Sequence, residues 1–144
     1  NDHFIDAGPH MNAQKRTPLH DELAACVTVV PGIRLAIVYG SAASDRMRAD
    51  SDIDIAVLKL TPLSADEKVA IIEAIAERTG RAVDLVDLAT VGEPLLGQIL
   101  KGGIVLTGDT TDYAELVRKH LFDAADFLPY VERMLAERRQ SWIN

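Results

Sequence analysis

Two apolar runs separated by a turn-rich gap constrain this chain more than any other feature. The run "IRLAIVY" (33–39) is rich in β-branched residues and closes on Gly40, and "DIDIAVLKL" (52–60) follows after a loop of small and charged residues. Runs of this length bounded by turn residues predict strands. Side chains at i and i+2 of a strand leave the same face, so Asp52 and Asp54 project together while Ile53 and Ile55 turn into packing. Packing alone gives no reason to line up two carboxylates in an apolar strand.

The flanking segments supply the rest of a core. Thr17-Pro18 has the form of an N-cap with proline at the first helical position, and Leu19, Leu23, Cys26 and Val27 recur at helical spacing before Pro31-Gly32. "SADE" (64–67) has capping-box spacing; Val69, Ile72, Ile75 and Ala76 give the helix an apolar face, and Gly80 stops it. "AVDLVDL" (82–88) returns to a β pattern, so the central unit is strand, crossover helix, strand. Pro94 starts a short helix through Leu100 that ends at Gly102-Gly103, and "IVLTG" (104–108) is a further strand or extended segment. From Thr110 the pattern is helical, with Leu116, Val117, Leu121, Ala124, Leu128, Val131, Met134 and Leu135 forming an apolar stripe that Pro129 should kink or split. Cys26 reads as core, Ser64 and Glu67 as structural, and the isolated His20 and His120 take no ligand or catalytic role.

Carboxylates side by side repel, and like charge raises a pKa unless a cation lies between them. A hard divalent ion such as Mg2+ suits oxygen ligands and is commonly held by one or two carboxylates together with substrate phosphates. Gly40-Ser41 fits the same chemistry: glycine after a strand lets backbone approach a ligand, and free N–H groups at the start of a short helix attract phosphate. Asp84 in the next strand offers a third acid, enough with Asp52 and Asp54 for two metal ions. Asp87 competes for that place, but alternation sets it opposite to Asp84, so only one of the two can join.

Composition narrows the partners. The stretch "NDHFIDAGPH" (1–10) reads as an expression-tag remnant, leaving 11–144 as a single domain. With Asp2 and Asp6 set aside, 20 acidic residues face 15 Lys and Arg, a net charge near −5 that argues against direct nucleic-acid binding. The single cysteine and the absence of a long apolar run indicate a cytoplasmic protein, not a membrane one.

The stretch "GSAASDRMRADSDID" (40–54) resembles the Gly-Ser, ten residues, Asp-x-Asp signature of the minimal nucleotidyltransferases of the DNA polymerase β-like superfamily. The resemblance implies an α/β (α+β) nucleotidyltransferase fold, a mixed sheet flanked by helices with a long C-terminal helical segment. It also implies Mg2+-dependent transfer of a nucleoside monophosphate from a triphosphate. Carried over by position, Gly40 and Ser41 hold the triphosphate, Asp52 and Asp54 the metals, and Asp84 the second metal and the incoming hydroxyl. Many relatives have Arg-Gly where this chain has Ser44-Asp45, which leaves the phosphate charge to Arg46, Arg48 or the metals.

The small stand-alone form resembles the antitoxin of toxin–antitoxin systems whose toxin is a HEPN-domain ribonuclease. That family transfers AMP from ATP to a toxin tyrosine. Two alternatives stand beside it: a non-catalytic antitoxin that masks the toxin by binding, and a nucleotidyltransferase acting on a small hydroxylated molecule. Gly40, Ser41, Asp52, Asp54 and Asp84 together favour catalysis, since masking needs no clustered carboxylates. Residues 135–143, apolar side chains among arginines and including Trp142-Ile143, are the expected docking surface.

Overall fold

The computed structural model describes residues 16–44 and 47–143, with backbone alone at 126–128, 130, 131 and 140–143. The expected tag remnant and Arg46 lie outside the described residues, as do the side chains of Leu128, Val131, Trp142 and Ile143. Helix α1 (Pro18–Cys26) is followed by a 3-10 turn (Val27–Val29), strand β1 (Leu35–Tyr39) and a second 3-10 turn (Gly40–Ala43). Then come β2 (Ile53–Leu58), α2 (Ala65–Thr79), β3 (Val83–Asp87), α3 (Leu95–Gly102), β4 (Ile104–Gly108) and α4 (Thr110–Ile143). The strands make one mixed sheet in the order β3-β2-β1-β4, with β1 antiparallel to β2 and β4, and β2 parallel to β3.

Strand alternation divides the core into two layers. On one face Val38, Ile53, Ile55 and Val57 pack with Leu23, Cys26 and Val27 of the first helical segment and with Ile71 and Ile75 of α2. On the other, Leu35, Ile37 and Ala56 pack with Leu96 and Ile99 of α3 and Tyr113 and Leu116 of α4. Ile53 and Ile55 are fully buried, as their alternation with Asp52 and Asp54 requires. Full burial of an Ile side chain stabilises the fold by about 1.5–3 kcal/mol, so this alternation fixes the register.

Both capped helices start as their sequences specify. Ser64 Oγ accepts from Glu67 N at 3.1 Å, and Ser64 N donates to Glu67 Oε1 at 3.0 Å. Gly80 closes α2 with φ +70°, a left-handed conformation that glycine adopts without steric cost. The buried face of α2 corrects the expectation from periodicity. It runs through Ala70, Ile71, Ala74 and Ile75, whereas Val69 is half exposed. The two neighbouring stripes are similarly apolar, and the sheet selects the one whose alanines allow close approach. Strand β2 is also shorter than expected, so Asp52 stands one residue ahead of it.

Helix α4 is not split at Pro129. Pro129 is exposed, and so is Ala125, whose carbonyl loses its helical partner there; water can satisfy that carbonyl. Tyr113 and Leu116 are buried, but Leu121, Phe122, Met134 and Leu135 are exposed, and every residue from 132 to 139 is exposed. Among the described side chains, the expected apolar stripe therefore meets the core only in the first turns of α4. His120 ties α4 to the approach to α3, donating from Nδ1 to the largely covered side chain of Glu93 at 2.7 Å. No described helix is long and apolar enough to cross a membrane.

Candidate active site

The sheet register sets three side chains in a row. Tyr39 at the end of β1 pairs with Asp54 of β2, and Asp54 pairs with Asp84 of β3. All three lie on the α3/α4 face by alternation. Asp54 is half-buried between its neighbours, while Asp84 and Asp52 are exposed. Gly40 follows Tyr39 with φ +67°, and a Cβ there would collide with the Asp54 carboxylate, its Cγ only 3.3 Å away. Glycine is required on both counts. The turn and the acid it faces are one packed unit.

Electrostatics record the same grouping. Burial pushes the Asp54 carboxyl above the usual carboxylate range, and the charges of Asp84 and then Asp52 push it further. The Tyr39 phenol is pushed up to about 12 by burial, then by Asp54 and Asp84. Negative charge is thus concentrated where the end of β1 meets the starts of β2 and β3. No three His, Cys, Asp or Glu side chains among the described residues close around one point. Oxygen donors on adjacent strands still suit a hard cation such as Mg2+, and the raised Asp54 pKa is what such an ion would relieve.

Asp87 is excluded from the group. Its register partner is Val57, it is buried, and it serves the backbone: Oδ2 accepts from Leu63 N and Oδ1 from Ala89 N, both at 2.9 Å. Asp87→Ala strands two N–H groups, each costing about 1–3 kcal/mol when buried and unpaired. A loss of about 2–4 kcal/mol in denaturant unfolding is expected, without loss of cation binding by the folded protein. Unchanged stability would contradict this role.

Two residues without a sequence signal for the site hold the described ends of the connection between β1 and β2, at Ala42 and at Arg48 to Ser51. His20, buried at the third position of α1, accepts at Nδ1 from Thr17 N (3.2 Å) and donates from Nε2 to Ala42 O (2.8 Å). Arg81, just after the Gly80 cap, donates from Nη1 to Arg48 O at 2.7 Å and Ser51 O at 3.0 Å. Both reach backbone carbonyls far away in sequence. The Thr17-to-His20 capping spacing was the only local signal. Ser41 is half-buried and its carbonyl accepts from Ser44 N at 3.1 Å, which closes the 3-10 turn; Arg48 is exposed. Two grooves of about 650 and 670 Å³ flank α4, and neither is lined by Gly40, Ser41 or the three acids.

A glycine turn packed on one strand acid, with a second acid on the adjoining parallel strand, gathers at the strand ends groups whose chemistry suits an anionic ligand and a hard cation. The sequence profile of the Polymerase beta, Nucleotidyltransferase family matches residues 22–112, well over half of the chain. The chain belongs to that family. Three solved structures share its fold. The first, a toxin–antitoxin with AMP-PNP, has a TM-score of 0.74 and 22% identity, covering 83% of this chain and 98% of that one. The second, the toxin–antitoxin MntA-HepT, has a TM-score of 0.69 and 21% identity, covering 84% and 97%. The third, a tri-AMPylated Shewanella oneidensis HEPN toxin in complex with MNT antitoxin, has a TM-score of 0.67 and 22% identity, also covering 84% and 97%. No curated protein matches the chain.

Proposed function

We propose that this chain is a cytoplasmic antitoxin that transfers AMP from ATP to a tyrosine hydroxyl of a cognate HEPN ribonuclease toxin. The observation that carries the reading is the cross-strand pair Asp54–Asp84 with Gly40 packed on Asp54. Membership of a nucleotidyltransferase family supports the reaction type, and the structural likeness to a complex containing an AMPylated HEPN toxin supports the acceptor. The exposed apolar residues of α4, Met134 and Leu135 among them, support a protein partner, because an amphipathic helix with an uncovered stripe gains by burying it.

On this reading Gly40 and Ser41 receive the triphosphate, the first through close backbone approach and the second through its hydroxyl. Asp52 and Asp54 hold Mg2+ beside it, and Asp84 shares the second ion. Bound there, Mg2+ supplies Lewis-acid stabilisation of charge on the attacking and leaving oxygens. Asp84, exposed at the sheet edge, orients the acceptor hydroxyl and takes its proton. The new bond joins the acceptor oxygen to the α-phosphorus, and the bond from that phosphorus to diphosphate breaks.

The position of label in ATP tests the reaction type. Incubated with the purified toxin and Mg2+, ATP labelled at the α-phosphate should mark the toxin, and ATP labelled at the γ-phosphate should not. Marking by the γ-label would identify a kinase and overturn nucleotidyl transfer.

A further inference from the structure

Asp52 stands outside β2, exposed, with no strand pairing of its own, yet the proposed site needs it at a fixed distance from Asp54 and Asp84. What holds it is the turn immediately before it. Ser51 N donates to Arg48 O at 3.1 Å, and Arg48 N donates to Ser51 Oγ at 2.9 Å. Arg81 completes the structure, since its Nη1 bridges the carbonyls of Arg48 and Ser51. Arg48 O then receives two donors, filling both lone pairs. Directly beyond, Ile53 N donates to Ala82 O at 2.9 Å, so 51–53 run beside 81–83.

Arg81 is itself anchored. Its N–H donates to Thr79 Oγ1 at 3.1 Å, and that hydroxyl donates to Ile75 O at 2.7 Å, inside α2. Three residues later, within β3, comes Asp84. One side chain therefore connects the turn that delivers Asp52 to the strand that delivers Asp84. Two N–H donors from one planar guanidinium fix the direction of both carbonyls, which a single point charge does less well.

We propose that Arg81 is a positioning residue for the cation site: by bolting the 48–51 turn to the entry of β3 it sets Asp52 against Asp54 and Asp84. This rests on the reading of those carboxylates as the cation-binding group. Charge alone makes the opposite prediction. A guanidinium near a cation site repels the cation, so if Arg81 acted only through its charge, removing it would tighten binding. If it positions Asp52, removing it weakens binding.

Mn2+ serves as the probe, with free ion read by electron paramagnetic resonance on the full chain without ATP. Arg81→Met keeps the aliphatic stem and removes the donors; Arg81→Lys restores a donor group. Loss of a residue that orients metal ligands typically costs about 10–100-fold in affinity. Arg81→Met should therefore weaken Mn2+ binding at least tenfold, and Arg81→Lys should recover part of that loss. Unchanged or tighter binding in Arg81→Met would overturn the proposal. The unsubstituted chain gives an arm that needs no variant. Because coupling is reciprocal, saturating Mg2+ should slow amide exchange at residues 48–53, and exchange there that ignores Mg2+ would also overturn it. Absence of Mn2+ binding by the parent chain would overturn both this role and the proposed site. Parent binding that Arg81→Met leaves intact would overturn the role of Arg81 alone.

Discussion

Replacing Asp52 and Asp54 together by Asn is expected to lower AMP transfer by roughly a thousandfold or more, the several kcal/mol of transition-state stabilisation that bound metal supplies. The fold should survive, because Ile53 and Ile55 keep the strand buried and, among the described residues, neither aspartate bonds a buried backbone group, in contrast with Asp87. The single change Asp54→Asn carries a second, opposite effect. The native carboxyl titrates above its ordinary value, so across the range just above pH 3.8 the folded chain holds more protons than the unfolded one. Stability then falls as pH rises through that range, and the ionised group stays unfavourable at neutral pH. Metal-free Asp54→Asn should accordingly be more stable than the parent at pH 7, by roughly 0.2–1 kcal/mol for a removed cross-strand repulsion. The gain should vanish near pH 4. Lower stability of the variant at neutral pH would contradict the electrostatic account of the row.

Asp84→Ala should separate catalysis from binding. The carboxylate is exposed and neighbours Asp54, without any backbone group depending on it among the described bonds. A group that takes a proton in the transition state contributes about 10²–10⁴-fold, so kcat should fall by that factor while ATP affinity changes little. Asp87→Ala should show the reverse: reduced stability, with kcat of the folded fraction retained. If Asp87→Ala removed turnover in stably folded protein and Asp84→Ala did not, the acceptor would lie on the other face of the sheet.

Much of this arrangement was legible because strand alternation is strict. The spacing of Asp52, Ile53, Asp54 and Ile55 separates acids from core, and the odd step of three positions from Asp84 to Asp87 sets them on opposite faces. The Ser64–Glu67 box and Gly80 likewise act through neighbours in the chain. Helix faces are less determinate. Around α2 the rows through Val69 and through Ala70–Ile71 are close rivals, and only contact with the sheet chooses between them. His20 and Arg81 were illegible for a different reason: they bond the carbonyls of Ala42, Arg48 and Ser51, groups that every residue carries. Tyr39 joined the row only once the hairpin register was known.

Catalysis and mere masking of the toxin part company in one measurement. The toxin is incubated with this chain, ATP and Mg2+, the two are separated under denaturing conditions, and the intact mass and RNA cleavage of the refolded toxin are recorded beside a mock-treated control. A mass increase of whole AMP units on tyrosine and persistent loss of cleavage are expected, with neither produced by the Asp52, Asp54 double Asn variant. An unmodified toxin that regains cleavage after separation would contradict it and establish inhibition by binding alone.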